Sequence, residues 1–515
     1  MTGTGVTAPP TAPPVGRRRR LIVLAVMCVA LTVVVGMLVS LAVALPAVAR
    51  DLEATEAQLQ WVMNAYGVVF AGLLLPGGAI GDRYGRKGVL IAGLIIFGVA
   101  SAAVLWIDSV GALIALRALA GAGAALVVPM TLSIITNIFP PEERGQAVGV
   151  WSGVFAGGGL LGVLIAGGLL ESYSWRSLFV FNIVLAALAL AGTAALTPTS
   201  RDPHSTPLDL PGTALSVAGV TGLVFAIVEG PERGWSDPLV VAGFAIAAAG
   251  LAAFTWWELR TDRPLLDVRI FRLRGVSGGS LIITVESVAA FGIFFLLLQY
   301  LQEILDYSPF VAGLGLMPLA IAMIVFSPGA PRLAHRYGMR PIIGLGVVLI
   351  AAGLVVMSMI DADSGFGPIL GGSLLVGAGV AFAATPATDV IVTALPASKQ
   401  GVASALNDIT RELGAVLGIA ILGSVHNTVY RDDAGEAAQG LPAAAADATR
   451  DSLAAALQVA ARIGGEPGAQ LAQAARDAFA AGMSTALLAG VAVVVIGGTA
   501  AVLLLPRRSP RNESR

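Results

Sequence analysis

The stretch GAIGDRYGRK, Gly78 to Lys87, decides how this chain is read. Its last six residues hold one carboxylate, Asp82, and three cations, Arg83, Arg86 and Lys87, and long apolar runs lie on both sides. The stretch RLAHRYGMR, Arg332 to Arg340, repeats it: an offset of 253 lays Asp82, Arg83, Tyr84, Gly85 and Lys87 over His335, Arg336, Tyr337, Gly338 and Arg340. Further matches keep the same order. GAGAALVVPM (121–130) pairs with GAGVAFAATP (377–386), and FPPEERG (139–145) with LPASKQG (395–401). Ordered matches of this kind indicate a tandem duplication of a six-helix unit. Two similar halves around a central cavity are the architecture of many secondary transporters.

Composition points the same way. The chain has 515 residues, 56% hydrophobic and 12% charged, against about 25% charged in a soluble domain. Lipid must therefore be part of its solvent. The net charge of −1 gives no basic surplus for a nucleic-acid partner. Arg supplies 29 of the 31 basic residues, as in a GC-rich genome such as an actinomycete's. The single cysteine, Cys28, excludes an internal disulfide. His204, His335 and His426 lie far apart and suggest no metal site. No G-x-x-x-x-G-K-[ST] loop is present, so ATP is not the expected energy source. No catalytic constellation is found, and neither an enzyme activity nor a cofactor is expected.

A bilayer core of about 30 Å needs roughly 20 apolar residues per helix. Fourteen such spans are predicted: 21–45, 59–80, 88–107, 111–136, 147–170, 177–196, 210–228, 239–257, 277–301, 309–328, 341–360, 367–395, 402–425 and 482–505. Arg17–Arg20 precede the first span, whose 25 apolar or small residues exceed the roughly 7–15 of a signal peptide, so it reads as a retained helix. With the N-terminus inside, inner segments hold 22 cations and the short outer loops only Arg50, Arg176 and Arg233. That asymmetry predicts both termini in the cytoplasm. The inner set includes Arg201, Arg263, Arg507, Arg508, Arg511 and Arg515.

The expected organisation is a disordered cytoplasmic N-terminus (1–20), a six-helix half (21–196), two linker helices (210–257), a second six-helix half (277–505) and a cytoplasmic tail (506–515). Residues 427–481 form an insertion expected on the outer face as a short helical hairpin with a turn at GGEPG. It reads as a packing appendage, or as a part that hands substrate on.

GAIGDRYGRK resembles the major facilitator signature G-x-x-x-D-R-x-G-R-K between helices 2 and 3. LIALRALAGAGAA (113–125) resembles the helix-4 signature, an Arg before a small-residue run, with Ala120 where Gln is usual. GLLGVLIAG (159–167), with Gly158 before it, resembles the helix-5 antiporter signature through Gly158, Gly162 and Gly167, with Val163 where Pro is usual. Fourteen spans, QYLQEILDYSPFVAGLGLMP (299–318) and GVASALNDITRELGAVLGIAILGSV (401–425) look like the fourteen-helix drug–proton antiporter branch. The resemblance covers about residues 20–505. It implies an all-α integral membrane protein with the major facilitator fold. It further implies proton-driven export of small amphipathic molecules across the cell membrane by a monomer. Export of a lipid or of the cell's own secondary metabolite is the alternative. A transport-inactive receptor or assembly protein is a reading from another class.

Each motif has a plain reading beside a functional one. The charged turn is a positive-inside anchor. It also reads as a cytoplasmic latch between the halves, built from Gly78, Asp82, Arg83, Gly85, Arg86 and Lys87 with Arg336, Gly338 and Arg340. Asp82 is expected to profit from the dipole of helix 3. Arg117, inside a span, is either a structural cation on backbone carbonyls or, as the resemblance implies, a group that communicates with a proton site. Spacings of three and four put Asp408 beside Arg411 and Glu412, and Asp389 is placed with this ion network near the cytoplasmic mouth. Trp61 and Tyr66 read as interface aromatics. Asn64, Tyr66, Phe291 and Phe295 are the tentative cavity set.

The branch usually reads L-D-x-T-x-V-N-V-A-L-P in helix 1; here GMLVSLAVALP (36–46) has Met37 for the acid and Ala42 for Asn. This departure favours a neutral or lipid-like substrate. Glu286, in LIITVESVAAF, is the carboxylate expected at mid-membrane, about 15 Å along helix 9. A carboxyl at that depth suits a group that binds and releases a proton. The plain reading is a protonated Glu bonded to a serine or carbonyl. The functional reading makes Glu286 the proton carrier, with Arg117 tuning it from the other half.

Overall fold

A computed structural model describes residues 16–506 except 55, 200–208, 263, 362–363 and 396–398. The expected disorder before residue 16, the tail from 507, and Arg201, Arg263, Arg507, Arg508, Arg511 and Arg515 lie outside the described residues. So does part of the FPPEERG-like repeat, LPASKQG.

Among the described residues all regular structure is helical. The first half contains α1 (Arg17–Leu52), α2 (Glu56–Tyr84), α3 (Arg86–Ala103), α4 (Val110–Ile138), α5 (Pro141–Leu170) and α6 (Ser177–Leu196). Then come α7 (Leu210–Arg233) and α8 (Pro238–Glu258). The rest holds α9 (Arg274–Gln299), α10 (Pro309–Phe326), α11 (Ala330–Tyr337), α12 (Met339–Ser358), α13 (Phe366–Thr393), α14 (Gln400–Ala437), α15 (Ala443–Asp451), α16 (Leu453–Ile463) and α17 (Gly465–Leu504). Thirteen described helices are long and apolar enough to cross a membrane; α10 with α11, bent by 51° at their junction, make a fourteenth span. Several starts are fixed by side chains that accept an otherwise unpaired backbone N–H. Ser109 accepts from Ala112, Asp209 from Gly212, Asp237 from Leu239 and Ser308 from Val311.

The two charged turns have the same backbone. Gly85 separates α2 from α3 at φ 104°, and Gly338 separates α11 from α12 at φ 96°. Residues with a Cβ rarely hold that conformation, so each repeat keeps its Tyr-Gly. The cation two residues on has the same task in each half. Lys87 Nζ donates to Ala194 O (2.7 Å) at the end of α6. Arg340 donates from Nε to Leu505 O and from Nη2 to Leu503 O (both 2.8 Å) at the end of α17. The last carbonyls of a helix lack intrahelical donors and carry the negative dipole end, so a cation there is stabilising.

The linker helices pack on each other, and α7 lies along the line where α2 meets α14. Val68 and Ala71 of α2, Val220 and Val224 of α7, and Leu413 and Val416 of α14 form one apolar cluster. Trp61 packs on the linker pair: its ring lies 6.0 Å from that of Phe225 on α7. Tyr66 is not an interface aromatic, being 1% exposed inside the bundle.

Residues 427–481 hold the C-terminal end of α14, then α15 and α16, and the first part of α17. The turn at GGEPG is present, with Gly464 and Gly465 at positive φ. The first proposed hairpin helix is split at Ser452, which caps α16 by accepting from Ala455 N. The second is continuous with the last span: α17 has 40 residues, roughly 60 Å at 1.5 Å per residue.

Arg340→Ala is expected to destabilise α17 by about 1 kcal/mol and to lower the thermal unfolding midpoint in detergent. An unchanged midpoint would remove the capping role.

Candidate functional site

Asp82 closes the last turn of α2 and is 6% exposed. Its Oδ1 accepts from Gly401 N (2.9 Å) and its Oδ2 from Val402 N (3.1 Å), 319 and 320 residues further along the chain. Arg86 donates to the same Oδ1 from Nε (3.1 Å) and Nη2 (2.8 Å). The helix that profits from this acid is thus α14, not α3 as expected from sequence. The first N–H groups of α14 need acceptors, and a carboxylate at a helix N-terminus meets the positive dipole end. Gly78 makes the approach feasible, since a Cβ there would run into Gly401 O. Beside it Thr136 Oγ1 donates to Gln400 Oε1 (2.8 Å). On the opposite seam Gly145 packs on Pro331 and Gly149 on Ser327, with no room for a Cβ at either glycine. The α2–α14 and α5–α10/α11 seams are therefore both joined at the end of the bundle that carries the two charged turns.

The proposed gate residues divide into two groups. Gly78, Asp82 and Arg86 act between the halves. Gly85, Lys87, Gly338 and Arg340 shape and tie each half internally. Arg83 lies 5.2 Å from the Tyr84 ring centre and Arg336 5.3 Å from that of Tyr337, at equivalent places in the two turns.

Glu286 is not isolated. Arg411 Nη1 stands 3.1 Å from Glu286 Oε1, and both side chains are at most 7% exposed. Ser287 Oγ donates to the same oxygen (3.2 Å). The pairing follows from close packing of α9 on α14, where Gly414 lies against Thr284 and Gly418 against Val288. Small residues at such positions let membrane helices approach. The cation expected to tune Glu286 from the other half was Arg117, and it lies elsewhere. Arg117 Nε donates to Val62 O (3.0 Å), and its guanidinium stands 4.5 Å from the Tyr66 ring centre. Tyr66 Oη in turn donates to Val34 O (3.3 Å).

The expected trio on α14 also resolves differently. Among the described residues no ion pair joins Asp408, Arg411 and Glu412 to one another. Asp408 Oδ1 accepts from Asn407 Nδ2 (3.3 Å), Arg411 turns to Glu286, and Glu412 points at Gly67 of α2. Helical spacing put them on one stripe, but Arg411 turns to α9, Glu412 to α2, and Asp408 stays with Asn407 on α14 itself. They lie roughly 12–18 Å along α14 from its first residue, Gln400, well inside the helix rather than at its mouth end. The Arg411 guanidinium also stacks on Phe155 of α5, 4.9 Å from its ring centre. Asp389 is half-buried on α13.

Gly158 and Gly162 face α1. A Cβ on Gly162 would strike Gly36 O, and one on Gly158 would stand 3.6 Å from Thr32 Cα. Gly167 packs on Phe310, and Val163 on Gly313. Met37, where the helix-1 acid is usual, is 1% exposed and receives a contact from Asn182 Nδ2 on α6 at 2.9 Å from its sulfur. Of the tentative cavity set, Tyr66 is buried, Asn64 and Phe291 are half-buried, and Phe295 is 37% exposed with its ring edge on Gly423. Sequence reasoning missed Phe155, Asn182, Ser287 and Gln400. Only Ser287, next to Glu286, carried a local signal.

Residues 21–419 match the family model described as Major Facilitator Superfamily. The chain is 36% identical over 416 residues to the puromycin resistance protein pur8 of Streptomyces alboniger, covering 79% of this chain and 82% of that one. It is 31% identical over 470 residues to the multidrug efflux pump LfrA of Mycolicibacterium smegmatis, covering 91% and 92%. A solved bacterial homolog of the human lysosomal transporter Spinster superposes with a TM-score of 0.59, covering 95% of this chain and 98% of that one. At 18% identity that likeness shows the fold alone.

Breaking a buried ion pair by removing one partner costs about 3–5 kcal/mol, whereas removing both charges is often neutral. Arg411→Met is therefore expected to lower the unfolding midpoint strongly, and Arg411→Met with Glu286→Gln to recover most of it. Equal losses in the single and double variants would contradict the pairing.

Proposed function

The chain belongs to the major facilitator superfamily, and we propose on that footing that it exports amphipathic drugs or antibiotics in exchange for protons. The observation that carries the export reading is the likeness, over about nine-tenths of both chains, to a protein described as a multidrug efflux pump. The protein is a transporter of many membrane spans rather than an enzyme. In this reading it sits in the cell membrane as a monomer with both termini in the cytoplasm. Residues 21–196 and 277–505 are the two six-helix halves, 210–257 the added pair, and 427–481 the outer insertion.

Glu286 is the proton-binding group in this proposal and Arg411 its counter-charge. The pair is buried, and a proton that reaches Glu286 frees Arg411 from it. That exchange alters what holds α9 to α14. Asp82 and Gly78 form the cytoplasmic latch that must part once per cycle. The tentative cavity residues Asn64, Tyr66, Phe291 and Phe295 lie on α2 and α9, one helix from each half.

A second reading has its own support. Helix α1 carries no carboxylate between Arg20 and Arg50, and Met37 holds an amide instead. A lipid or a neutral metabolite fits such a helix better than a cationic drug.

Expression in an efflux-deficient bacterium is expected to lower accumulation of at least one compound in a broad panel of antibiotics and dyes, and a protonophore to abolish the effect. Accumulation that is lowered equally with the protonophore would remove the proton. In proteoliposomes Glu286→Gln is expected to stop pH-driven transport while substrate exchange continues; undiminished pH-driven transport refutes its role.

Topology has a separate check. Gly440→Cys in a Cys28→Ala background is expected to react with a membrane-impermeant maleimide on whole cells. Reaction only after permeabilisation would invert the orientation.

A further inference from the structure

Helices α5 and α6 each lie along α1 but scarcely touch one another. The gap between them is a crevice of about 290 Å³, open on one side, with α1 as its floor. That is at the lower end of ligand-sized cavities, about 300–1,000 Å³. Ile165 of α5 and Phe181 and Leu185 of α6 form its walls. Its mouth faces lipid, because Leu161 on α5 and Val180, Val184 and Leu188 on α6 are exposed around the bundle.

The floor is polar. Thr32 and Ser40 of α1 and Asn182 of α6 all line the crevice. Thr32 Oγ1 donates to Cys28 O (3.0 Å) and Ser40 Oγ to Met37 O (3.5 Å), so both hydroxyl hydrogens are turned back on α1. Asn182 is 5% exposed, and its Nδ2 faces Leu178 O (2.9 Å) and the Met37 sulfur. Among the described residues no donor reaches Asn182 Oδ1. The crevice therefore offers oxygens with unused lone pairs and no hydrogen to give. None of its lining side chains is ionisable.

Depth narrows the choice of occupant. Gly36, between the two hydroxyl residues, lies about 24 Å along α1 from Arg20 and about 21 Å from Arg50 at 1.5 Å per residue. Both distances exceed half of a ~30 Å core, so the floor stands in the hydrocarbon. A bare acceptor is costly there, because no water is at hand to bond it.

We propose that this crevice binds an uncharged lipophilic molecule that carries a hydroxyl or an amide N–H on an apolar chain and enters from the bilayer. The inference rests on the neutral-substrate reading above and gives that substrate a chemistry and a way in. The apolar chain lies between Ile165, Phe181 and Leu185. The donor hydrogen meets Asn182 Oδ1, with the Thr32 and Ser40 oxygens beside it. A phospholipid headgroup does not fit, since its charges belong at the interface. An ammonium would find no acid in the crevice and would stay unpaired in hydrocarbon. A helix of a partner protein, about 10–12 Å across, is too wide.

The test reads binding alone. The full chain in lipid nanodiscs is illuminated with a diazirine-bearing hexadecanol, and separately with its methyl ether, which accepts hydrogen bonds but cannot donate them. The alcohol is expected to label residues 32–40 and 181–185 roughly three- to tenfold more than the ether, as one net hydrogen bond allows. Asn182→Leu is expected to bring the alcohol down to the level of the ether. Leu185→Trp, which fills the mouth and leaves the floor intact, is expected to abolish labelling by both. Equal labelling by alcohol and ether in the unsubstituted chain overturns the proposal. So does a Leu185→Trp protein labelled like the unsubstituted chain, an arm that stands even should Asn182→Leu fail to fold. Failure here sinks this site alone, because export is judged by drug accumulation.

Discussion

Asp82 is the side chain on which both halves lean. A buried carboxylate is tolerable only if its charge is matched and its oxygens are bonded. Here Arg86 matches it from the same half, and two backbone N–H groups of α14 complete it from the other. Those N–H groups are themselves unsatisfied without Asp82, because a helix start has no internal acceptor for them. Each side thus needs the other, and neither is satisfied by lipid. The contact lies at the helix ends beside the charged turn, where water can replace either partner on opening. A latch made this way holds firmly when closed and loses little when it opens. An apolar contact of equal tightness would expose its surface on opening.

The duplication explains what the latch is and is not. Gly85 and Gly338 set the same turn, and Lys87 and Arg340 bind the last carbonyls of α6 and α17. Duties inside a half have been kept in both copies. Duties between halves have diverged: His335 stands where Asp82 stands in the first copy, and the α5–α10/α11 seam closes by glycine against proline and serine backbone. One seam is therefore polar and switchable by charge, the other steric. The linker helix α7 packs on the same α2–α14 seam further along, through Val220 and Val224 against Val68 and Ala71.

Most of the fold was legible, because spans of apolar residues and the cation asymmetry depend only on local composition. Helix ends were less so: α1 extends to Arg17 and Leu52, since charged residues continue a helix beyond the hydrocarbon. The site was half legible. Asp82 and Glu286 stood out as carboxylates where carboxylates are costly. Their partners, Gly401 and Arg411, lie 319 and 125 residues away, and nothing local announces such contacts. The i+3 and i+4 spacing that grouped Asp408, Arg411 and Glu412 was correct geometry for one helix. It failed as a network because each side chain meets a different neighbour, and in lipid a buried charge turns to whichever opposite charge or dipole is nearest.

The uncharged α1 has a structural consequence for where titration takes place. Gly36 and Gly162 bring α1 against α5 with no space between them, and Met37 meets Asn182 through a soft sulfur contact. Nothing in that packing changes with a proton. Within the two halves the buried acids are Glu286 and Asp408, on α9 and α14 of the second half, and Asp82, at the end of α2 in the first. Arg117 is met inside its own half, by Val62 O and the Tyr66 ring. Glu286 is met inside the second half, by Arg411. A proton on Glu286 therefore alters the charge between α9 and α14 and leaves the Asp82 contact between the halves untouched.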